Sequence, residues 1–331
     1  MSSLVAVTGA TGFVGNASVL ELATRGFNVR AVVRTVNNSS SPAVNNMTHI
    51  AVGDIDSHTD WSAALAGADC VIHCAARTHV MYETEADVLV VYRSVNVEGT
   101  RRLAEQAVAA GVRRLVLLSS LKVNGETTDG LPLPFGSHWA LGSSDVGGGY
   151  NGAAPEDPYG ISKWEAERAL WEVSARTGLE VVVVRPPLIY GPGVKGNLAR
   201  LLKLVRSGVP LPLGAVQNKR SLIGLDNLVD LLIRCVDHPA AAGQTFLVSD
   251  GEDLSTPDLL RHMAAAMGRS ARLFPVPVSL LRVAGSALGK RAEIDRLVGS
   301  LQVDSSYTRQ VLGWAPPVNV QEGIRRMVQG T

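Results

Sequence analysis

Leu4-Val5-Ala6-Val7-Thr8-Gly9-Ala10-Thr11-Gly12-Phe13-Val14-Gly15 is the stretch whose reading decides the fold. Its first five residues are apolar or β-branched and read as a buried strand, and a G-x-x-G-x-x-G turn leads from them into an amphipathic segment that stops at Gly26. Strand, glycine turn and helix in that order make a cradle for a pyrophosphate. Absent Cβ atoms let the backbone come close, while the helix N-terminus offers unpaired amides and a partial positive charge. A merely tight turn would also use glycines. Their place at the head of an alternating chain is what favours the phosphate reading.

The alternation continues outward from that stretch. Apolar runs at 4–8, 28–33, 49–52, 70–73, 115–119 and 181–185 are separated by segments of helical length, the signal for βαβ units and a buried parallel sheet. The expected fold class is therefore α/β with a doubly wound sheet. Gly26 and Gly111 are placed to close helices over 15–25 and 94–110. Asp157 as cap and Pro158 in the first turn open another at 159. Residues 124–157, which include Gly147-Gly148-Gly149, show no period of either kind and read as a long mobile loop. After Arg185-Pro186-Pro187 the pattern turns to mixed helices and short strands. The expected division is a dinucleotide-binding catalytic domain over 1–185 and a smaller mixed substrate lobe over 186–331, with segments near 221–249 returning to the main domain, among them a strand at 245–248.

Composition narrows the function classes. Of 331 residues, 46% are hydrophobic and 18% charged, enough to bury a large core, and 31 basic against 30 acidic residues give a net charge of +1 with no run of like charges. A nucleic-acid partner is not expected. Cys70, Cys74 and Cys235 lack paired metal-ligand spacing, so no metal is expected, and a reducing cytoplasm is the expected compartment. The longest apolar runs fall far short of the roughly 18 residues that cross a bilayer, so no membrane insertion is expected.

Two constellations carry chemistry. Arg34 ends the second strand, where an acid would bind the ribose of NAD and a basic residue would pair with the 2′-phosphate of NADP. NADP(H) is therefore favoured, with NAD(H) possible because Arg34 could equally stack on adenine or point to solvent. Asp54, followed by Ile55, ends the third strand and could accept from the adenine amino group. Tyr159-Gly160-Ile161-Ser162-Lys163 places a phenol and an ammonium one helical turn apart. A lysine cation beside a tyrosine favours phenolate, which makes the ring an acid and base near neutrality. Ser120 ends the strand at 115–119, at the sheet edge where open α/β sheets bind ligands, and can hold a reacting oxygen.

These motifs together resemble the extended short-chain dehydrogenase/reductase superfamily, the NAD-dependent epimerase/dehydratase family. The resemblance rests on Gly9-x-x-Gly12-x-x-Gly15, His73-Cys74-Ala75-Ala76, Asn96 in Val95-Asn96-Val97-Glu98-Gly99-Thr100, Ser119-Ser120-x-x-Val123-x-Gly125 and Tyr159-x-x-x-Lys163. It implies a Rossmann-type fold, Tyr159 as acid/base, Lys163 on the nicotinamide ribose and lowering the tyrosine pKa, Ser120 on the substrate oxygen and Asn96 in a water relay. It further implies cofactor contacts at Gly9, Thr11, Gly12, Phe13, Val14, Gly15, Ala75, Ala76 and Pro186. Asn124 stands where many relatives carry tyrosine, and the catalytic positions are unaffected.

The same resemblance extends past Arg185-Pro186-Pro187. It makes Asn197 and Arg220 contacts to the diphosphate or uracil of a UDP-sugar, with Arg291 and Arg296 as weaker phosphate candidates. Leu188 replaces a sugar-contacting asparagine of some epimerases. Stretches 77–81, 121–125 and 249–256 look like bacterial surface-polysaccharide enzymes that reduce a UDP-4-keto-6-deoxy-hexosamine at C4, with His79 and Lys122 flanking the sugar. The leading expectation is thus an NAD(P)H-dependent 4-ketoreductase. A UDP-sugar 4-epimerase with bound NAD is the alternative, and a catalytically inactive nucleotide sensor is a third reading. The family often pairs as a homodimer through helices that correspond to 94–110 and 159–176. Residues 126–154 form a hypothetical lid.

Overall fold

The computed structural model describes residues 3–36, 46–78, 88–131, 135–136, 155 and 157–330. Its strands are β1 (Leu4–Thr8), β2 (Asn28–Val33), β3 (Met47–Ala51), β4 (Cys70–His73), β5 (Arg114–Leu118), β6 (Glu180–Arg185), β7 (Leu188–Tyr190), β8 (Arg220–Gly224), β9 (Gln244–Leu247) and β10 (Asp253–Leu254). The helices are α1 (Phe13–Thr24), α2 (Ser62–Leu65), α3 (Val88–Arg93), α4 (Gly99–Ala109), α5 (Pro158–Thr177), α6 (Gly196–Ser207), α7 (Leu225–Asp237), α8 (Thr256–Ala266), α9 (Val278–Ala287), α10 (Arg291–Val298), α11 (Ser306–Leu312) and α12 (Val320–Gln329).

Seven parallel strands lie in the order β3-β2-β1-β4-β5-β6-β9. The expected Rossmann-type sheet is present, and the chain reverses its direction of travel across it between β1 and β4, the switch point where such sheets bind ligands. A second, three-stranded sheet runs β10-β8-β7, with β7 parallel and β10 antiparallel to β8.

Burial explains why the strands are unbroken apolar runs. Val5, Val7, Val29, Ala31, Cys70, Ile72, Val182 and Val184 face the core shared with α1 and α7. Their sequence neighbours Ala6, Val32, Val71, Val181 and Val183 face the core shared with α4 and α5. Successive side chains of a strand point to opposite faces, and here both faces are covered by helices. A third core lies beneath the small sheet, among Leu198, Leu202, Leu222, Leu260, Met263 and Ile324, and Phe13 at the start of α1 packs against both this core and that of α1 and α7.

Three local expectations change. The helix expected over 94–110 is already helical at Val88 and carries a π-helical turn at Ser94–Glu98 before continuing as α4. Periodicity does not reveal one extra residue in a turn, and such turns occur often at functional sites. Asp157 precedes α5 but makes no side-chain cap, its carboxylate instead pairing with Lys122, with Nζ 3.1 Å from Oδ1. The strand at 245–248 is realised as Gln244–Leu247 at the edge of the main sheet.

Phe246 on this edge strand is completely buried and packs near Tyr307 of α11. Phe246→Ala is expected to cost about 3–5 kcal/mol through the cavity it leaves. Urea unfolding followed by circular dichroism would show a lowered midpoint with an unchanged slope.

Candidate active site

A cleft of about 780 Å³ opens at the carboxyl ends of β1, β2 and β4, lined by Gly9, Thr11, Gly12, Arg34, Asp54, Ile55, Ala75 and Ala76 among others. That volume suits a nucleotide. Gly9 has φ +67°, and a Cβ there would lie 2.8 Å from the Ala75 nitrogen; a Cβ on Gly15 would collide with the Gly9 carbonyl oxygen. There is no space for a Cβ at Gly9 or Gly15; the Ala10 and Gly12 amides bond the Val32 and Gly9 carbonyls, which leaves the first-turn amides of α1 for a pyrophosphate, and these residues fit a dinucleotide. Phe13, Val14 and Gly15 support this turn from behind. Val14 is buried in the core, and Gly15 lets the first turn of α1 close on Gly9.

Arg34 Nε stands 2.9 Å from Asp54 Oδ1, with both side chains about four-fifths exposed at 77% and 81%. The expected phosphate reader and the expected adenine acceptor thus pair with each other at the cleft mouth. Sequence reasoning passed over Trp61 and gave no cofactor role to Arg77 or Val95, which also line the cleft. Only the fold brings these scattered positions together.

Deeper in, Thr8 Oγ1 and His73 Nδ1 share a hydrogen bond of 2.6 Å, His73 Nε2 and Thr100 Oγ1 one of 3.0 Å, and the Ala75 amide donates to Thr8 Oγ1. Burial holds the His73 pKa down at about 3, with the nearby Lys163 charge adding to the effect. The imidazole is a neutral strut between β4, β1 and α4.

Ser120 follows β5 and hydrogen-bonds Tyr159, which sits half-buried in the first turn of α5. The Tyr159 ring meets Tyr92 edge-on, with centroids 6.1 Å apart and planes at 62°. Burial pushes the phenol above its ordinary value, the Asp157 charge and Tyr92 push further, and the Ser120 hydrogen bond pulls back. The Lys163 charge lowers the pKa of His73 and opposes the burial-driven rise of Cys74. Lys163 is only 1% exposed, and burial lowers its pKa to about 8 against the pull of Glu167.

Behind these side chains lies a buried polar network. Arg185 Nη2 is 2.5 Å from Glu167 Oε2, its Nη1 donates to Asn124 Oδ1 at 3.1 Å, and Ser119 Oγ donates to Glu167 Oε1. Asn96, in the π-helical turn, donates from Nδ2 to the Arg77 carbonyl and to Ser162 Oγ, and its Oδ1 accepts from the Arg77 amide. Ser162 Oγ in turn donates to the Tyr159 carbonyl. Both Asn96 donor hydrogens are engaged with protein, so the residue clamps the 77–78 loop to α5. That is a positioning role.

The substrate candidates are spread more widely. Asn197 is exposed in the first turn of α6. Arg220 Nη1 donates to the carbonyls of Arg296 and Gly299, and burial lowers the Arg220 pKa despite Asp129 nearby. Arg291 pairs with Asp295 on its own helix, and Arg296 contributes its carbonyl to Arg220. Lys122 is held between Glu126, at 2.6 Å, and Asp157. Pro186 is buried, and its carbonyl accepts from the Leu121 amide. His79 lies outside the described residues, as does most of the expected lid at 126–154. No group of three or more metal-ligating side chains occurs among the described residues.

A parallel sheet with a pyrophosphate cradle at its switch point, and a Ser-Tyr-Lys set beside it, defines an enzyme that moves hydride and proton with a nicotinamide cofactor. Residues 5–249 match the model of the NAD dependent epimerase/dehydratase family, and the chain belongs to that family, the extended short-chain dehydrogenases/reductases. It is 44% identical over 331 residues to a UDP-glucose 4-epimerase of Vibrio cholerae, covering 99% of this chain and 95% of the relative. Among solved structures it is similar to MoeE5 in complex with UDP-glucose and NAD, at 25% identity and TM-score 0.72 over 98% of this chain and 97% of that one. A UDP-glucose 4-epimerase of Thermotoga maritima with UDP-glucose shares the fold, at 20% identity and TM-score 0.72, over 99% and 98%.

Lys163 gives a signed pH prediction. Its pKa is about 8 when folded and the ordinary 10.5 when unfolded. Between these values the unfolded chain holds more protons at this group, so the Lys163 contribution to stability rises with pH across that window, while the buried thiols Cys70, Cys74 and Cys235, raised above their ordinary value by burial, act in the opposite sense. The Lys163 contribution is therefore read as a difference: in urea titrations of nucleotide-free protein, wild type should gain stability relative to Lys163→Met as pH rises from about 8 to 10.5.

Proposed function

We propose that this enzyme interconverts C4 epimers of a UDP-linked hexose or hexosamine, using NAD that it keeps between turnovers. The observation that carries the proposal is the full-length, 44% likeness to a UDP-glucose 4-epimerase, joined to the Ser120–Tyr159 pair beside the nucleotide cleft. The sequence leaned first toward a 4-ketoreductase. The likeness shifts the weight to the alternative, and the Leu188 departure does not disturb the acid/base set. NAD(H) is preferred to NADP(H), since Arg34 already pairs with Asp54 and a 4-epimerase must retain an oxidised cofactor. A homodimer through α4 and α5 fits the family pattern.

When bound, NAD supplies a reversible hydride acceptor and a positive charge. Tyr159 removes the proton of the sugar 4-hydroxyl and returns it to the same oxygen when C4 regains its hydrogen on either face. Ser120 orients that oxygen by hydrogen bonding. Lys163, poised near pH 8, holds a ribose hydroxyl. The phenol is raised by burial and by Asp157, so it keeps its proton until an added positive charge makes phenolate accessible. The first-turn amides of α1, behind the glycine turn, hold the pyrophosphate, and Asn197 and Arg220 are the proposed contacts to the UDP diphosphate.

Heat-denatured enzyme should release NAD, and UDP-glucose incubated without added cofactor should yield UDP-galactose or, for the N-acetyl sugar, its C4 epimer. Tyr159→Phe should keep the nucleotide and lose about 10²–10⁴ in kcat. Reduction of a UDP-4-keto sugar with stoichiometric NAD(P)H consumption and no epimerisation would establish the reductase instead. Nucleotide binding with no turnover of any sugar would favour the sensor.

A further inference from the structure

Helix α9 turns an apolar face outward. Leu280, Val283 and Leu288 are 57%, 67% and 73% exposed, and Ala284 and Ala287 are exposed with them. These positions follow the i, i+3, i+4, i+7, i+8 spacing of a single helical stripe. The opposite side buries Leu281 and Gly285 against the small lobe. Within α9 the only charged residue, Arg282, is tied to Asp295 of α10. Single exposed apolar residues are ordinary on protein surfaces, but an uncharged stripe along one helix is a binding surface.

The surroundings of the stripe select its partner. Residues 269–291 contain Arg269, Arg272, Arg282, Lys290 and Arg291 and no acid; residues 195–208 contain Lys195, Arg200, Lys203 and Arg206 and no acid. The remainder of the chain carries 22 basic and 30 acidic residues. Folding joins the two basic segments, for Arg269 Nη1 donates to the Arg206 carbonyl at 2.7 Å and the Leu211 amide donates to the Arg272 carbonyl at 2.8 Å. Phe274 and Val209, each 44% exposed, lie at this junction. Basic charge on a chain of net charge +1 is thus concentrated in two joined segments, one of which carries the stripe; Arg282 and Arg291 within it are paired with Asp295 of α10, which leaves Arg269, Arg272 and Lys290 beside the cations of 195–208.

We propose that the outer face of α9, flanked by these basic residues, seats the enzyme on an anionic membrane surface. A ten-residue helix cannot span a bilayer. It lies in the interfacial plane, with the stripe in the headgroup and acyl boundary and the arginines and lysines on lipid phosphates. A second copy of this chain is a poorer occupant, because a symmetric contact would set two basic rims against each other. The proposal is independent of which sugar the enzyme converts.

Co-sedimentation of the full chain with phosphatidylcholine vesicles, with and without phosphatidylglycerol, tests it. Binding is expected only with phosphatidylglycerol and should fall at high salt. The triple variant Leu280→Ser, Val283→Ser, Leu288→Ser should lower partitioning about tenfold or more. The pair Arg272→Glu, Lys290→Glu, which leaves the stripe intact, should do the same. Circular dichroism checks the fold of each variant, and turnover of soluble UDP-sugar should be unchanged. Failure of the wild type to sediment overturns the proposal. So does sedimentation of either variant at the wild-type level. A light-scattering mass that drops from dimer to monomer in the serine variant overturns it too, by assigning the stripe to self-association.

Discussion

The ion pair between Glu167 and Arg185 is the contact on which the site depends. It joins the middle of α5 to the end of β6, with Ser119 at the end of β5 and Asn124 beyond it bonded to the same two charges. Three separate parts of the chain therefore meet at one point, one helical turn from Lys163. Both charges are almost wholly out of water, and removing one partner of such a pair costs about 3–5 kcal/mol because the other is left stranded. Arrangements that separate α5 from the sheet are penalised in the same way, which keeps Tyr159 and Ser120 in register. The Asn124 amide nitrogen has no partner among the described residues, so the network is not completely satisfied.

The electrostatics of the site follow from burial. Exclusion of water raises the Tyr159 phenol, lowers Lys163 to about 8 and drops His73 to about 3. Each shift favours the neutral form. The resting site is short of charge, and a cationic cofactor would enter surroundings in which one added charge acts strongly. Asp157 opposes phenolate formation, and its carboxylate is ion-paired with Lys122, which also reaches Glu126.

Cofactor choice turns on the same principle of competing partners. Arg34 at the end of β2 reads in sequence as a hand for a 2′-phosphate. In three dimensions it meets Asp54 at the end of β3, since β2 and β3 pair in parallel with Val33 beside Ala51. An exposed pair of this kind is worth little, about 0–1 kcal/mol, yet it points the guanidinium to an acid already in place.

By itself the sequence determined the strands of the main sheet, the phosphate cradle and the Ser120, Tyr159 and Lys163 set, because each is a local pattern: an apolar run, glycines before a helix, residues one turn apart. β1, β2 and β4 lie where their apolar runs predict, and the other main-sheet strands within two residues. Tertiary structure alone decided what those groups feel and touch. The π-helical turn around Asn96, the diversion of Asp157 from its cap to Lys122, the lining of the cleft by Trp61 and the meeting of the basic segments 195–208 and 269–291 all require residues far apart in sequence to meet. The physical reason is that secondary structure arises from neighbouring residues, whereas burial, and with it pKa and partner choice, is set by the whole packed chain.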